Sequence, residues 1–249
     1  MEFYLWNYIL QMTLFKHIFK VYRLSITMEP INAQLHKPYS WLIAGPSKSG
    51  KTSYVYQILK YYDLLFPSRP GYVRLYYSNM QPIYTELYNK GHINDMINLN
   101  EKDIDLYELE DALFPGRFNN GSLVIFDDAL FKVNEKFAQI FTRIGHHMNT
   151  SLIFLTQSFF YDDKNYRIIT LQQDYITLMA SKHTNQNQLR NIARQLCPGN
   201  FKRLIDFYND AGKEDYGYLF IDSSGMSNKN IIIRSRMFPH EIPHVVYNL

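Results

Sequence analysis

One glycine-bounded octapeptide constrains this chain more than any other segment. It consists of Gly45, Pro46, Ser47, Lys48, Ser49, Gly50, Lys51 and Thr52. It fits the pattern G-x-x-x-x-G-K-[ST], whose glycines let the backbone bend tightly around a phosphate with no Cβ in the way. The loop amides then converge on phosphate oxygens at the positive end of a following helix. In this pattern Lys51 contacts the β- and γ-phosphates and Thr52 ligates Mg²⁺, so the loop predicts a nucleoside triphosphate site with magnesium.

The residues on either side of this loop have the character of a strand and a helix. Residues 39–44 form a short apolar run, which is typical of a buried strand. Residues 51–62 carry apolar side chains at helical spacing and contain no Gly or Pro. A strand, a glycine loop and a helix in this order are the context that the motif requires. We therefore infer nucleotide binding.

A second apolar run ends in two acids. Residues 122–126 are followed by Asp127 and Asp128. Buried parallel strands are continuous apolar runs, and ligands bind beyond their carboxyl ends. An acid there can hold Mg²⁺ through its waters, which is the predicted role of Asp127. Asp128 is then predicted to orient or deprotonate the attacking water, unless the pair merely caps the next helix.

A third apolar run, residues 152–156, ends directly before Gln157. An amide at the tip of a core strand beside the acid strand can contact the γ-phosphate or the attacking water. A solvated glutamine is the alternative.

The rest of the chain alternates strand and helix patterns. Residues 71–78 predict a strand, residues 82–89 a short helix that starts with Pro, and residues 94–120 a helix-bearing surface insertion. We expect residues 28–249 to form one α/β domain, in which helices flank a mostly parallel central sheet.

Composition limits the class of protein. The 249 residues and 29.6 kDa suit one α/β domain with a full core. The net charge of +3 and the pI of about 8.7 are compatible with nucleic-acid binding, but a charge this small is not evidence for it. The single cysteine, Cys197, excludes an internal disulfide and the usual zinc-finger ligand sets, and it suits a reducing compartment.

Residues 1–27 form an N-terminal extension. Its apolar part, residues 3–15, is broken by polar side chains and is too short to span a bilayer. Basic residues follow the apolar part, which reverses the charge order of a signal peptide. Two interpretations stay open: an amphipathic helix on a membrane or partner, or a leader outside the native protein, with Met28 as the start. The pattern favours the second, and a secreted protein is not expected.

Seven segments resemble the genome-packaging ATPases of the FtsK/HerA superfamily, especially those of poxviruses, Polinton/Maverick elements and adintoviruses. They are HKPYSWLIAGPSKSGKT (36–52), YYSNMQPIYTEL (76–87), LVIFDDAL (123–130), FTRIGHHMNTSLIFLTQSFF (141–160), RIITLQQDYITLM (167–179), IARQLCPG (192–199) and YGYLFID (216–222). They occur in order, and the resemblance covers roughly residues 35–247. Three positions depart from the pattern: Lys48 replaces a frequent Gly, Asp128 replaces a common Glu, and Ser158 replaces the usual Asn. Residues 181–185 also lack a basic-acidic pair that is often seen there.

The resemblance implies a RecA-like P-loop NTPase fold of the ASCE type, with a C-terminal β addition. In this fold the strand before Gln157 lies between the loop strand and the acid strand. It also implies ATP and Mg²⁺ as ligands and a homo-oligomeric ring, a pentamer or hexamer, that pumps double-stranded DNA into a capsid. Capsid or portal proteins are further expected partners. The expected location is the host nucleus or a cytoplasmic viral factory, and transiently the capsid.

Ring enzymes of this kind usually need an arginine from the neighbouring subunit to neutralise charge on the γ-phosphate. The candidates are Arg143, Arg167 and Arg194. We favour Arg143, which lies between the acid run and the Gln157 run, and then Arg167. The predicted catalytic set is therefore Lys51, Asp128, Gln157 and Arg143.

Other function classes stay open. A small-molecule P-loop kinase would need a phosphoacceptor pocket and an arginine-rich lid, and the acids and Gln157 favour hydrolysis instead. A GTPase would need an N-K-x-D motif, and residues 228–231 lack its Asp. A nucleotide-gated, non-hydrolysing assembly factor from a domesticated viral element is the remaining alternative. Intact Lys51, Asp127 and Asp128 argue against decay of the site without establishing turnover.

Overall fold

The computed structural model describes residues 25–27, 34–113, 117–144, 148–181, 184, 186–226, 232–241 and 244–247. Apart from Ser25–Thr27, which form a strand, the predicted N-terminal extension lies outside these residues. Among the helices within the described ranges, none combines the length and the apolar character needed to cross a membrane.

The centre of the fold is a parallel sheet. Its strands are β2 (Ser40–Ala44), β3 (Tyr72–Tyr77), β4 (Asp95–Asn98), β5 (Ser122–Asp127), β6 (Thr150–Thr156) and β7 (Tyr175–Met179). They lie in the order β7-β2-β6-β5-β3-β4, each parallel to its neighbours. Strand β6 therefore lies between β2, which precedes the glycine loop, and β5, which ends in Asp127. This confirms the strand arrangement that the resemblance implies.

Antiparallel strands extend the sheet beyond β7. β8 (Tyr218–Asp222) pairs with β7, β9 (Ile233–Ser235) with β8, and β10 (His244–Tyr247) with β9. β1 (Ser25–Thr27) pairs with β10 at the edge. The predicted C-terminal β addition is thus confirmed.

Helices cover both faces of the sheet. They are α1 (Lys51–Lys60), α2 (Tyr62–Leu65), α3 (Pro82–Asn89), α4 (Leu106–Ala112), α5 (Glu135–Gln139), α6 (Lys164–Leu171), α7 (Gln186–Leu196) and α8 (Phe201–Ala211). A 3₁₀ turn, Leu130–Lys132, follows β5, and a π-helical turn, Ile140–Ile144, follows α5. Side chains of α1, α2 and α3 join one buried cluster, and those of α4 to α8 join the other.

The central strands are apolar on both faces because each face is buried under helices. In β2, Trp41 and Ile43 belong to the cluster under α1, whereas Leu42 and Ala44 belong to the opposite cluster. Successive strand residues point to opposite faces, so an unbroken apolar run fills both layers. This is why β2, β5 and β6 could be recognised from short apolar runs.

Two elements differ from the sequence-based expectation. The segment 94–120 is not only a surface insertion, because it begins with β4, which pairs with β3 at the edge of the sheet. Its residues Leu99, Leu109 and Leu113 are fully buried. The helix predicted over residues 51–62 ends at Lys60, and α2 begins after a break at Tyr61. The alternation in β4 is too short to be distinguished from a loop by pattern alone.

Candidate nucleotide site

Three parallel strands end at one edge of the sheet and deliver the predicted side chains there. β2 ends at Ala44, before the glycine loop, while β5 ends at Asp127 and β6 at Thr156, before Gln157. Loops that follow parallel strands project from the same edge. The result is an open cleft of about 580 Å³ whose walls include Lys51, Thr52, Asp127, Asp128, Gln157 and Tyr216.

The glycine loop rests against β7. A Cβ on Gly45 would lie 2.5 Å from the Cβ of Met179 and 2.8 Å from Ser49 Oγ, so only glycine fits. Gly50 has φ of +95° and directly precedes α1, which lets the chain turn into the helix. Lys48, at the position where a Gly is frequent, takes the same left-handed region with φ of +63°. The loop therefore has the bent backbone that its pattern predicts.

The Lys51 ammonium is held by the loop itself. Its Nζ donates hydrogen bonds to the carbonyl oxygens of Gly45, at 2.7 Å, and Pro46, at 2.9 Å. Burial lowers the pKa of Lys51 below its usual value, and the carboxylates of Asp127 and Asp128 oppose that shift. The charge thus lies between the loop and the acids, where a triphosphate would need it.

The remaining loop residues divide between the cleft and the interior. Ser47 and Lys48 line the cleft, whereas Gly45 and Pro46 border a second cavity of about 130 Å³. Ser49 is buried, and its Oγ has no hydrogen-bond partner among the described residues.

Asp127 is fixed by α3. The Tyr84 hydroxyl donates a hydrogen bond to Asp127 Oδ2, and Gln81 Nε2 donates to the same oxygen at 3.3 Å. The Thr52 side chain interacts with the same Tyr84 hydroxyl. Burial raises the pKa of the Asp127 carboxyl, and the Tyr84 hydrogen bond offsets part of that rise. Tyr84 therefore connects the two predicted magnesium ligands, Thr52 and Asp127.

Sequence reasoning did not identify Tyr84 or Gln81 as site residues. Both lie in the segment 76–87, which resembles the packaging ATPases. This resemblance was the one sequence signal that could have pointed to them. An apolar face on a short helix predicts core packing, and Tyr84 does belong to the buried core. Its hydroxyl has a polar role only because α3 docks beside the end of β5.

Asp128 and Gln157 contact each other across the cleft. Gln157 Nε2 donates to Asp128 Oδ1 at 3.2 Å. The Ser78 hydroxyl donates to the main-chain oxygen of Asp128 at 2.8 Å, and Asp128 has φ of +54°. A non-glycine residue in this region is strained and marks a position worth a functional explanation. The alternative role as a helix cap is not observed, because the 3₁₀ turn Leu130–Lys132 has Ala129 as its N-cap residue and no side-chain cap.

The donor set of the cleft suits magnesium. Mg²⁺ prefers oxygen ligands and is usually held by one or two protein groups together with substrate phosphates and waters. Thr52 and Asp127 supply a hydroxyl and a carboxylate on one wall. Among the described residues, no group of three or more His, Cys, Asp or Glu side chains offers a different metal site.

The candidate arginines lie elsewhere in the fold. Arg143 belongs to the π-helical turn, and its side chain is 64% exposed and 3.4 Å from Glu110. Arg167 is exposed on α6. The Arg194 guanidinium lies 5.2 Å from the centre of the Phe201 ring. None of the described residues that line the cleft is an arginine.

Comparisons with known proteins found solved structures with a similar fold. A solved structure of B204, the genome packaging NTPase of Sulfolobus turreted icosahedral virus 2 in complex with ATP-gammaS, has 18% identity and a TM-score of 0.52, and the match covers 75% of this chain and 93% of that chain. The cytoplasmic domain of the type VII secretion ATPase EccC of Thermomonospora curvata has 12% identity and a TM-score of 0.47, over 84% of this chain and 25% of that chain. A comparison with curated proteins found no match.

The likeness to B204 is one of fold, and it confirms the predicted RecA-like P-loop NTPase architecture. The family described as Poxvirus A32 protein matches residues 30–236, which include every element from β2 to β9. The chain therefore belongs to the poxvirus A32 protein family, as the resemblance in its sequence implied.

Proposed function

We propose that this protein is an ATP-hydrolysing motor that moves double-stranded DNA into a viral capsid. The observation that carries the proposal is one cleft that contains Lys51, Thr52, Asp127, Asp128 and Gln157. Membership in the poxvirus A32 protein family and the likeness to a genome packaging NTPase support the same function.

In this proposal ATP is the substrate, and the glycine loop binds its phosphates. The loop amides and the Lys51 ammonium contact the β- and γ-phosphates, while Thr52 and Asp127 hold the magnesium ion. When bound, Mg²⁺ would neutralise charge on the β- and γ-phosphate oxygens. Tyr84 keeps the Asp127 carboxylate oriented from the protein side.

Asp128 and Gln157 would act on the attacking water. Their side chains meet at 3.2 Å, so one water can contact both the carboxylate and the amide. Asp128 accepts the proton, and the Gln157 amide positions the oxygen in line with the γ-phosphate. The pairing of an acid with an amide at this place favours hydrolysis over transfer to a metabolite.

The arginine that neutralises charge on the γ-phosphate would come from a second copy of the chain. Arg143 is exposed and lies outside the cleft of its own subunit, which is what an arginine supplied to a neighbour requires. A head-to-tail interface of this kind closes into a ring. We propose that such a ring binds the DNA backbone without reading bases, so binding weakens steeply as salt rises. Capsid or portal proteins would be further partners, in a viral factory or the host nucleus.

ATP hydrolysis, measured with and without long double-stranded DNA, tests this proposal. We expect turnover that DNA stimulates and that Lys51→Ala abolishes. Lys60→Ala is the matched control, since Lys60 is exposed at the other end of α1 and outside the cleft. Phosphate transfer to a metabolite would support a kinase instead. Tight ATP binding without turnover would support a nucleotide-gated assembly factor.

A further inference from the structure

One aromatic side chain at the edge of the cleft has no role in the phosphate chemistry. Tyr216 is 70% exposed and lines the same cleft as Lys51 and Thr52. Its Cδ1 lies 3.1 Å from the position that a Cβ on Gly50 would occupy, so its ring covers the backbone at the start of α1. The lack of a side chain at Gly50 is what allows this approach.

The backbone of Tyr216 is strained, and its surroundings maintain the strain. Tyr216 has φ of +58°, a left-handed conformation that is unfavourable for a bulky residue. The next residue, Gly217, accepts a hydrogen bond from Ala180 N at 2.7 Å and donates one to Glu214 O at 3.1 Å. A Cβ on Gly217 would lie 1.9 Å from Ala211 O. The turn is thus fixed between α8 and β7, and it presents an exposed ring that adds little to packing.

The sheet order gives the direction in which a nucleotide would lie. Asp128 follows β5, Gln157 follows β6, the loop follows β2, and Tyr216 precedes β8, which lies on the far side of β7. The γ-phosphate end belongs on the side of Asp128, where the water would be activated. A nucleotide that crosses the loop from there has its base on the opposite side, where Tyr216 lies.

We propose that Tyr216 stacks on the nucleobase of the bound nucleoside triphosphate, an inference that rests on the proposed function. A ring face recognises the flat surface of a base and needs no hydrogen bond to it. Because stacking grows with the overlapping area, the larger purine ring is the expected ligand class. The strained turn would keep the ring in place before the nucleotide binds.

Calorimetric titration of the full chain with ATP and with inorganic tripolyphosphate, both with Mg²⁺, tests the proposal. Tripolyphosphate carries the phosphates without the base. Tyr216→Ala should weaken ATP binding on the order of tenfold and leave tripolyphosphate binding unchanged. Tyr161→Ala removes a tyrosine that is 55% exposed and outside the cleft, so it should change neither ATP binding nor tripolyphosphate binding.

Tyr216→Trp keeps an aromatic face and adds a reporter. We expect it to restore ATP affinity and to show a fluorescence change with ATP that tripolyphosphate does not produce. Equal weakening of both ligands in Tyr216→Ala, unchanged ATP binding, or a Tyr216→Trp emission insensitive to ATP would each overturn the stacking role. Failure of the original chain to bind either ligand would contradict the proposed function itself.

Discussion

The Tyr84 hydroxyl donates a hydrogen bond to the carboxylate of Asp127, and this contact joins α3 to the acid-bearing end of β5. Tyr84 is only 1% exposed, and Asp127 is buried as well. A buried carboxylate needs hydrogen-bond donors to remain ionised, and Tyr84 and Gln81 provide them. The orientation of Asp127 toward the cleft therefore depends on a residue that does not itself line the cleft.

Tyr84→Phe should lower ATP turnover and raise the Mg²⁺ concentration needed for half-maximal activity. A hydrogen bond to a charged group contributes roughly 1.5–3 kcal/mol, which corresponds to a loss of about 10- to 150-fold. The ring stays in place in Phe, so the fold should be preserved. Steady-state rates over a range of Mg²⁺ concentrations, with ATP binding measured in parallel, give the result.

Tyr88→Phe is the matched control, because Tyr88 lies one turn further along α3 and is 47% exposed. It should leave turnover and the Mg²⁺ dependence unchanged. If Tyr84→Phe lowered only thermal stability while its Mg²⁺ dependence stayed that of the original chain, Tyr84 would be a packing residue and not a positioning residue.

The acid pair and Gln157 could be predicted because their positions follow from local pattern. Each ends an unbroken apolar run, and parallel strands bring their carboxyl ends to one edge. The eight loop residues were recognised from their spacing alone. By contrast, the contact of Tyr84 with Asp127 depends on how α3 packs against the sheet, and no periodicity in residues 82–89 specifies a polar role for a core tyrosine.

Edge strand β4 and the turn at Tyr216 could not be predicted from the sequence, for related reasons. β4 has only four residues, which are partly exposed, so neither length nor alternation marks it. Tyr216 is left-handed in a turn that Gly217 ties to β7 by accepting a hydrogen bond from Ala180 N, and a Tyr-Gly pair gives no local sign of this conformation. The proposed role of Arg143 depends on a second chain, which a single sequence cannot place.

Gly45→Ala should impair nucleotide binding by displacing the loop. The added methyl group would meet Met179 Cβ at 2.5 Å and Ser49 Oγ at 2.8 Å, so the loop must move away from β7. A displacement of about 1 Å at a catalytic site can cost about 100-fold in rate. Calorimetry with ATP and turnover assays measure the two effects.

Gly199→Ala provides the control, since no atom beyond Gly199 and its two chain neighbours lies within 4 Å of the position of its added methyl group. It should bind and hydrolyse ATP as the original chain does. Normal ATP affinity in Gly45→Ala would mean that the loop tolerates a shift from β7, contrary to our expectation.

Lys48→Gly should stabilise the fold. Lys48 is exposed and left-handed, with φ of +63°. This conformation costs a non-glycine residue roughly 1–2 kcal/mol, while glycine loses about 0.5–1 kcal/mol of chain entropy on folding. The net gain of about 0.5–1 kcal/mol should raise the thermal midpoint by about 1–4 °C. Calorimetric unfolding without nucleotide measures it.

Lys60→Gly tests whether this gain is specific to the left-handed position. Lys60 is the last residue of α1, where glycine should lower stability by up to about 1 kcal/mol. A lower thermal midpoint for Lys48→Gly would show that the Lys48 side chain stabilises the loop by more than its backbone strain costs.

Arg143→Ala should inactivate a ring made only of that variant, while leaving ATP binding intact. An arginine that neutralises the γ-phosphate charge contributes about 10³- to 10⁵-fold to turnover. Its side chain is exposed and outside its own cleft, so we expect it to serve the neighbouring subunit. Lys51→Ala should also inactivate the ring, by removing the phosphate contact within the same subunit.

Mixing these two inactive variants separates a role in trans from a role in cis. In a mixed ring, the intact cleft of an Arg143→Ala subunit can receive Arg143 from a Lys51→Ala neighbour, so turnover should partly recover. Arg117→Ala, which removes another exposed arginine, should be active by itself. Mixed rings that stay inactive would exclude Arg143 as the trans residue, and recovery with Arg167→Ala in its place would transfer the role to Arg167.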